Sequence, residues 1–175
     1  SVKATEGTTV LEYTVILRMT DTAQYRVENG GFEKGNLDGW SMTGDIGAVS
    51  DINDYWGGLL YQKEGQYFFC GKEGKNESTI GTLTSPAFKV GGSGYITYRY
   101  GSAGHWGEQF VEIVEKSSGT VLSRYVNVKY VDAGAFDANH PDGVNKVSGL
   151  TLIKYKADLT AFMGKTVYLR ITDKW

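Results

Sequence analysis

Apolar and polar residues alternate along most of this chain, with glycine between the alternating runs. Over residues 8–19, Leu11, Tyr13, Val15, Leu17 and Met19 alternate with Glu12, Thr14 and Arg18, the period-two signature of a half-buried strand. Polar residues 20–24 follow as a linker. Residues 65–70 read as a short buried strand. Residues 79–90 read as extended, with Leu83, Phe88 and Val90 inward and Pro86 marking an edge or a kink. After a Gly-Gly-Ser-Gly turn at 91–94, residues 95–100 place Ile96, Tyr98 and Tyr100 on one face. Residues 110–116 form the next strand, and Ser117, Ser118 and Gly119 turn it tightly into a strand at 121–128. A polar excursion over 129–148 precedes strands at 150–156 and 166–172, the latter with Val167, Leu169 and Ile171 inward. Between these two, Asp158 caps one short helical turn at 159–163 that Gly164 ends.

No segment has the pattern of a long amphipathic helix. Many short strands separated by glycine turns predict an all-β fold, an antiparallel β-sandwich of jelly-roll type. Its expected organisation is a strand and linker over 1–24, the end of an upstream domain or a strand added to the main sheet, followed by one sandwich over 25–175. The most constrained stretch is 29–40, Asn-Gly-Gly-Phe-Glu-Lys-Gly-Asn-Leu-Asp-Gly-Trp. Its four glycines allow positive φ, and Phe32, Leu37 and Trp40 are large apolar groups suited to anchoring a loop on a core. Glu33, Asn36 and Asp38 add oxygens that suit a hard cation such as calcium. The plainer expectation is a bent first strand pinned by two aromatics.

Composition narrows the function. The 175 residues include 24 glycines, 2 prolines and 12 tyrosines, with a net charge of −2. Neither nucleic acid nor an anionic membrane is attracted by such a chain, and no Lys/Arg cluster suggests a phosphate track. Cys70 is the single cysteine, so there is no intramolecular disulfide and no multi-cysteine zinc site. No apolar run is long enough to span a bilayer, and no signal peptide is recognisable. The chain opens on Ser rather than Met, which is expected of an excised segment.

Catalytic motifs are missing: there is no Gly-x-Ser-x-Gly elbow, no His-Glu-x-x-His and no phosphate loop. His105 and His140 sit in separate loops without a nucleophile nearby in sequence. Glu112 and Glu115 fall on opposite faces of a strand, although acids from two loops can flank a glycosidic bond. Sugar binding fits better, because hydroxyls need planar polar partners while C–H faces need aromatic contact. Glu77, Arg124, Asn127, Trp56, Trp106, His105 and several tyrosines offer such groups. Trp56 reads first as an anchor, whereas Trp106, among glycines and His105, reads equally as anchor or sugar platform. Arg124 follows Leu122 in strand alternation and so is expected on its face, where it needs a carboxylate partner, Glu77 or Asp173, or else a ligand.

Several motifs in order resemble one family. They are the stretch 29–40, Glu-Gly-Gln-Tyr-Phe at 64–68, Glu77 followed by Gly-Thr-Leu-Thr-Ser at 81–85, and Gly-Gly-Ser-Gly-Tyr-Ile at 91–96. Leu-Ser-Arg-Tyr-Val-Asn at 122–127 and Tyr-Lys-Ala-Asp-Leu-Thr-Ala-Phe-Met-Gly-Lys at 155–165 complete the series. From about residue 27 onward the chain resembles family 66 of the carbohydrate-binding modules, the fructan-binding modules attached to secreted bacterial levanases and related family 32 glycoside hydrolases. The resemblance implies a non-catalytic β-sandwich that holds the terminal fructose of levan or inulin chains and keeps a catalytic domain of the same chain at the polysaccharide. Carried over by motif, Glu77, Arg124 and Asn127 are expected to touch sugar and Glu33 to hold a structural calcium; Trp106 is added as a ligand-binding residue from its own glycine-flanked loop. The loop at 101–109 and the excursion at 129–148 depart from the family pattern. That pattern also continues past Asp173 with a Trp-Gly segment and a final strand, so the resemblance implies that residues 25–175 stop short of both.

Overall fold

The structure, a computed structural model, describes residues 2–6, 9–13, 23–55, 59–71, 79–102, 107–127 and 151–175. It is all-β, with antiparallel pairing throughout and only 3₁₀ turns at Ala23–Tyr25 and Thr160–Phe162 among the described residues. Residues Val2–Glu6 (β1) and Thr9–Tyr13 (β2) pair with each other as a separate two-stranded sheet. The described part of the strand expected over 8–19 is Thr9–Tyr13, and it finds its partner within the N-terminal segment. Among the described residues it adds to no other sheet, and residues 14–22 lie outside them.

The stretch 29–40 is not a bent strand. It is a run of turns closed by Gly30 N to Val27 O, Phe32 N to Asn29 O, Gly35 N to Phe32 O and Trp40 N to Leu37 O. Positive φ falls on Gly35 and Gly39 as expected, but also on Asn29 (48°) and Phe32 (59°) rather than on Gly30 or Gly31. Asn tolerates this conformation because its amide bonds locally: the Asn29 side-chain amide donates to the carbonyls of Asn36 (2.9 Å) and Asp38. Phe32 has no such relief and is held by packing. Its ring is buried against Trp40 (4.9 Å between centroids) and Phe69, and the Trp40 indole donates to the carbonyl of Glu28. The expected anchoring role of the two aromatics is what the fold uses.

A six-stranded sheet forms the main layer. Its strands are Ser41–Gly44 (β3), Gly81–Thr84 (β8), Phe88–Lys89 (β9), Gln109–Glu115 (β11), Val121–Tyr125 (β12) and Thr166–Asp173 (β14). They run in the order β12-β11-β14-β8-β3, with β9 also on β14. The interruption between β8 and β9 is the expected kink at Pro86, and Ser85 bridges it, accepting from Leu169 N and donating its own N–H to Leu169 O. The hairpin β11–β12 turns at Gly119 (φ 70°) with Glu115 N bonded to Thr120 O.

Two short pairs pack on one face of this sheet: Ala48–Ser50 (β4) with Phe68–Cys70 (β7), and Tyr95–Tyr100 (β10) with Ile153–Asp158 (β13). The first contributes Val49 and Phe69 to a core with Phe32, Ile46 and Leu83. The second brings Ile96, Tyr98 and Ala157 against Ile113, Val167 and Phe88. A third minor pair joins Asp54–Tyr55 (β5) to Leu59–Leu60 (β6). The helical turn expected after Asp158 is the 3₁₀ turn, whose Thr160 donates both its N–H and its hydroxyl to the Asp158 carboxylate.

Candidate functional site

The outer face of the six-stranded sheet, away from the core, carries a charge where a sheet usually carries small polar groups. Glu112 is at the centre of β11, flanked by β12 and β14. The pairing register sets Arg124 and Arg170 directly opposite it, one on each neighbouring strand. The carboxylate is 1% exposed, and each guanidinium takes one of its oxygens through two bonds. Arg124 Nε and Nη2 reach Oε1 at 3.0 and 2.7 Å, and Arg170 Nε and Nη2 reach Oε2 at 2.8 and 2.6 Å. Burial would raise the pKa of Glu112, but the hydrogen bonds and charges of the two arginines outweigh it and hold the carboxyl below its ordinary value. One negative charge between two positive ones leaves a net positive centre.

Around this centre the register lays out a small surface. Arg170 faces Thr84, which faces Ser41, and Thr172 faces Thr82, which faces Thr43. The hydroxyls of Thr43 and Thr82 are bonded at 2.6 Å. Phe110 lies buried beneath, with the Arg124 guanidinium 4.0 Å above its ring and the Lys174 ammonium 5.6 Å away. Arg124 remains half exposed and Arg170 about one-third exposed, so guanidinium edges that do not face Glu112 look outward. Such an edge is a planar double donor, the geometry that captures vicinal hydroxyls or a carboxylate.

Arg124 is thus an outer-face residue, contrary to the expected sharing of a face with Leu122. The reason is a bulge: Ser123 pairs with Ile113 while Val121 pairs with Val114, leaving Leu122 as the extra residue. Leu122 turns to the core and the alternation resumes shifted by one. The described carboxylate partner of Arg124 is Glu112, whereas the Asp173 carboxylate accepts from Gln109 and from Trp175 N; Glu77 lies outside the described residues.

Asn127 does not join this group. It is fully buried, its amide donating to Ser102 O and its carbonyl accepting the Tyr155 hydroxyl. Tyr155 stacks on Tyr98, 5.7 Å between centroids, and burial, helped by the neighbouring Tyr125 and Tyr155, raises the Tyr98 pKa well above that of an ordinary phenol. Asn127 therefore closes an internal polar network. Glu77, Trp106, Trp56, His105 and His140 lie outside the described residues.

Glu33, expected to hold a structural calcium, is engaged by the main chain. Its two oxygens accept the main-chain N–H groups of Gln66 (3.0 Å) and Tyr67 (3.4 Å), tying the turns of 29–40 to the approach to β7. Gly65 (φ 79°) makes this approach possible, since a Cβ there would lie 2.2 Å from Glu33 Oε1. The carbonyls of Asn36 and Asp38 already face the Asn29 amide, and Asn36 Oδ1 accepts from Asp38 N. A calcium ion needs six to eight oxygens free to converge. Among the described residues these oxygens face N–H donors, and no group of three or more His, Cys, Asp or Glu side chains gathers there.

Glu112 and Arg170 were missed as site residues when the sequence was read alone. Their signal was present: a glutamate within Phe-Val-Glu-Ile-Val, on a strand with apolar residues in both directions, requires buried compensation. Arg170 alternates with Leu169 and Ile171 and so points to the same side as Glu112. Comparison with models of known protein families, with curated proteins and with solved structures finds no match to the chain. No helix among the described residues is long and apolar enough to cross a membrane.

Proposed function

We propose that this is a non-catalytic carbohydrate-binding module that grips the terminal fructose of levan or inulin-type chains on the face around Arg124, Glu112 and Arg170. The observation that carries the reading is the pair of partly exposed guanidinium groups held by one buried carboxylate on the outer sheet face. A sugar ring offers vicinal hydroxyls that a fixed double donor can take together, and a lone flexible arginine would lose more side-chain freedom in doing so. The threonine and serine hydroxyls beside the arginines supply further donors and acceptors. The order of motifs shared with the fructan-binding family supports the choice of fructose. In this reading the jelly-roll sandwich belongs to a secreted bacterial enzyme, and the module raises the concentration of a glycoside hydrolase domain of the same polypeptide at its polymer.

The test is affinity electrophoresis and isothermal titration with levan, inulin and their short oligosaccharides. Retardation in fructan gels, with dissociation constants from micromolar to millimolar, supports the reading. Binding to a different glycan makes the domain an adhesin-like module. Silence with every polysaccharide makes it a spacer beside its catalytic domain.

A further inference from the structure

Asn29-Gly30 is the chain's one Asn-Gly step, and the turns at 29–40 demand both residues. Asn29 sits at φ 48°, in the left-handed region that asparagine tolerates better than most residues with a side chain. Gly30 lies so close to the preceding turn that a Cβ on it would stand 3.0 Å from Val27 O and 3.2 Å from Val27 Cβ. Any larger residue there would have to push Val27 away. The fold thereby selects a chemically labile pair. Glycine places no side chain over its own nitrogen, and that nitrogen can attack the side-chain carbonyl carbon of the asparagine before it.

The same turns hold every group that this reaction uses. The Gly30 N–H is bonded to Val27 O at 3.1 Å, which engages the nucleophile. The Asn29 amide nitrogen, the leaving group, donates to Asn36 O (2.9 Å) and Asp38 O (3.4 Å). The Asn29 side-chain carbonyl oxygen accepts from Lys34 N (3.4 Å). One side chain thus ties position 29 to positions 34, 36 and 38, and the buried Phe32 is enclosed between them.

We propose that Asn29 is a deamidation site whose conversion opens the 29–40 turns irreversibly, in a reaction that the closed loop itself holds back. When the loop opens, the Gly30 nitrogen gives its proton to solvent base and bonds to Asn29 Cγ. The bond from Cγ to Nδ2 breaks, ammonia leaves and a cyclic imide remains. Water then cleaves the imide, giving aspartate if the new Cγ–N bond breaks and isoaspartate if the main-chain carbonyl–nitrogen bond breaks. Neither product closes the loop again. Aspartate puts an anionic oxygen where an N–H donor faced two carbonyl oxygens, so both acceptors lose their partner and are repelled. Its charge also joins those of Glu28 and Asp38, whose carboxylates already share the ammonium of Lys34 at 3.4 and 3.8 Å. Isoaspartate lengthens the main chain by one carbon at the residue that the turn holds at positive φ.

The proposal is independent of the sugar site and is tested without fructan. The full chain is aged at mildly alkaline pH, folded or in guanidinium chloride, and position 29 is followed by peptide mapping and mass spectrometry. Conversion is expected to be at least about tenfold faster in denaturant, because only opened loops react. Aged folded protein, one charge more negative than the parent's −2, is isolated by ion exchange. Its Phe32 and Gly35 amides, bonded in the parent to Asn29 O and Phe32 O, are expected to exchange hydrogen at least about tenfold faster than the parent's. Asn29→Asp is expected to show the same faster exchange without ageing. Equal conversion rates in the folded and unfolded chain would overturn the proposal, as would no conversion at Asn29 in denaturant. It is equally overturned if the Phe32 and Gly35 amides keep the parent's protection in the aged protein or in Asn29→Asp.

Discussion

Arg124 and Arg170 divide one carboxylate between them, each holding a separate oxygen of Glu112 through two bonds. Neither arginine alone neutralises the desolvation of that buried group, and either can be removed while the other still holds it. At neutral pH, Arg124→Ala and Arg170→Ala are each expected to cost about 1 kcal/mol, since both guanidinium groups are partly exposed and screened. The double variant leaves the carboxylate uncompensated and is expected to cost about 3–5 kcal/mol. Urea melts of the four proteins measure the excess over additivity; additive costs would mean that Glu112 is hydrated and holds no centre together.

Binding should respond differently. Arg124→Ala is expected to abolish fructan retardation while the thermal transition stays cooperative, because Arg170 keeps Glu112 in place. Losing one charge-assisted partner costs about 1.5–3 kcal/mol, which for a weak binder is the whole signal. A variant that binds normally would assign Arg124 to the ion pair alone.

Acid should weaken the same centre. The folded carboxyl of Glu112 titrates below its ordinary value of 4.5, so its contribution is fully present above that value and is lost as the pH falls through the lower, folded one. Glu115, bonded to Lys165 and Ser118, and Asp158, bonded to Thr160, are shifted in the same direction. Glu112→Gln separates the contributions. The gap in melting temperature between it and the parent should be constant near neutrality and close as the pH drops below 4.5.

The Glu33 clamp predicts a metal-independent loop. Glu33→Ala should cost about 1–3 kcal/mol by freeing two amides at once, and Gly65→Ala should be at least as damaging, through both its positive φ and its collision with Glu33. Chelator should leave the parent's melting temperature unchanged. A rise on adding calcium would show that Glu33 can exchange its amides for an ion.

Much of the fold was legible because period-two alternation reports which face is wet. The strand at Tyr95–Tyr100 and the inward Val167, Leu169 and Ile171 follow from it directly. The strands Ser41–Gly44 and Ala48–Ser50 were not legible: they are 4 and 3 residues long, too short to display a period, and they exist through pairing with distant β8 and β7. The site was legible residue by residue but not as a constellation. Arg124 stood out as a cation in a strand, yet one bulged residue, Leu122, moved it to the opposite face from the one alternation gives. Asn127, three positions on, went into the core. Motif proximity along a chain does not survive a bulge, because a shift of one residue exchanges inside for outside.

Cys70 gives the molecule a clock. It is the chain's single thiol, it is buried, and it sits on β7 with the Tyr61 hydroxyl 3.7 Å from its sulfur. A thiol reagent can reach it only when β7 lifts from its neighbours, so the rate of modification counts how often that happens. Nothing needs to be engineered to read it. A single colour change per molecule, timed, records the breathing of the β4–β7 pair.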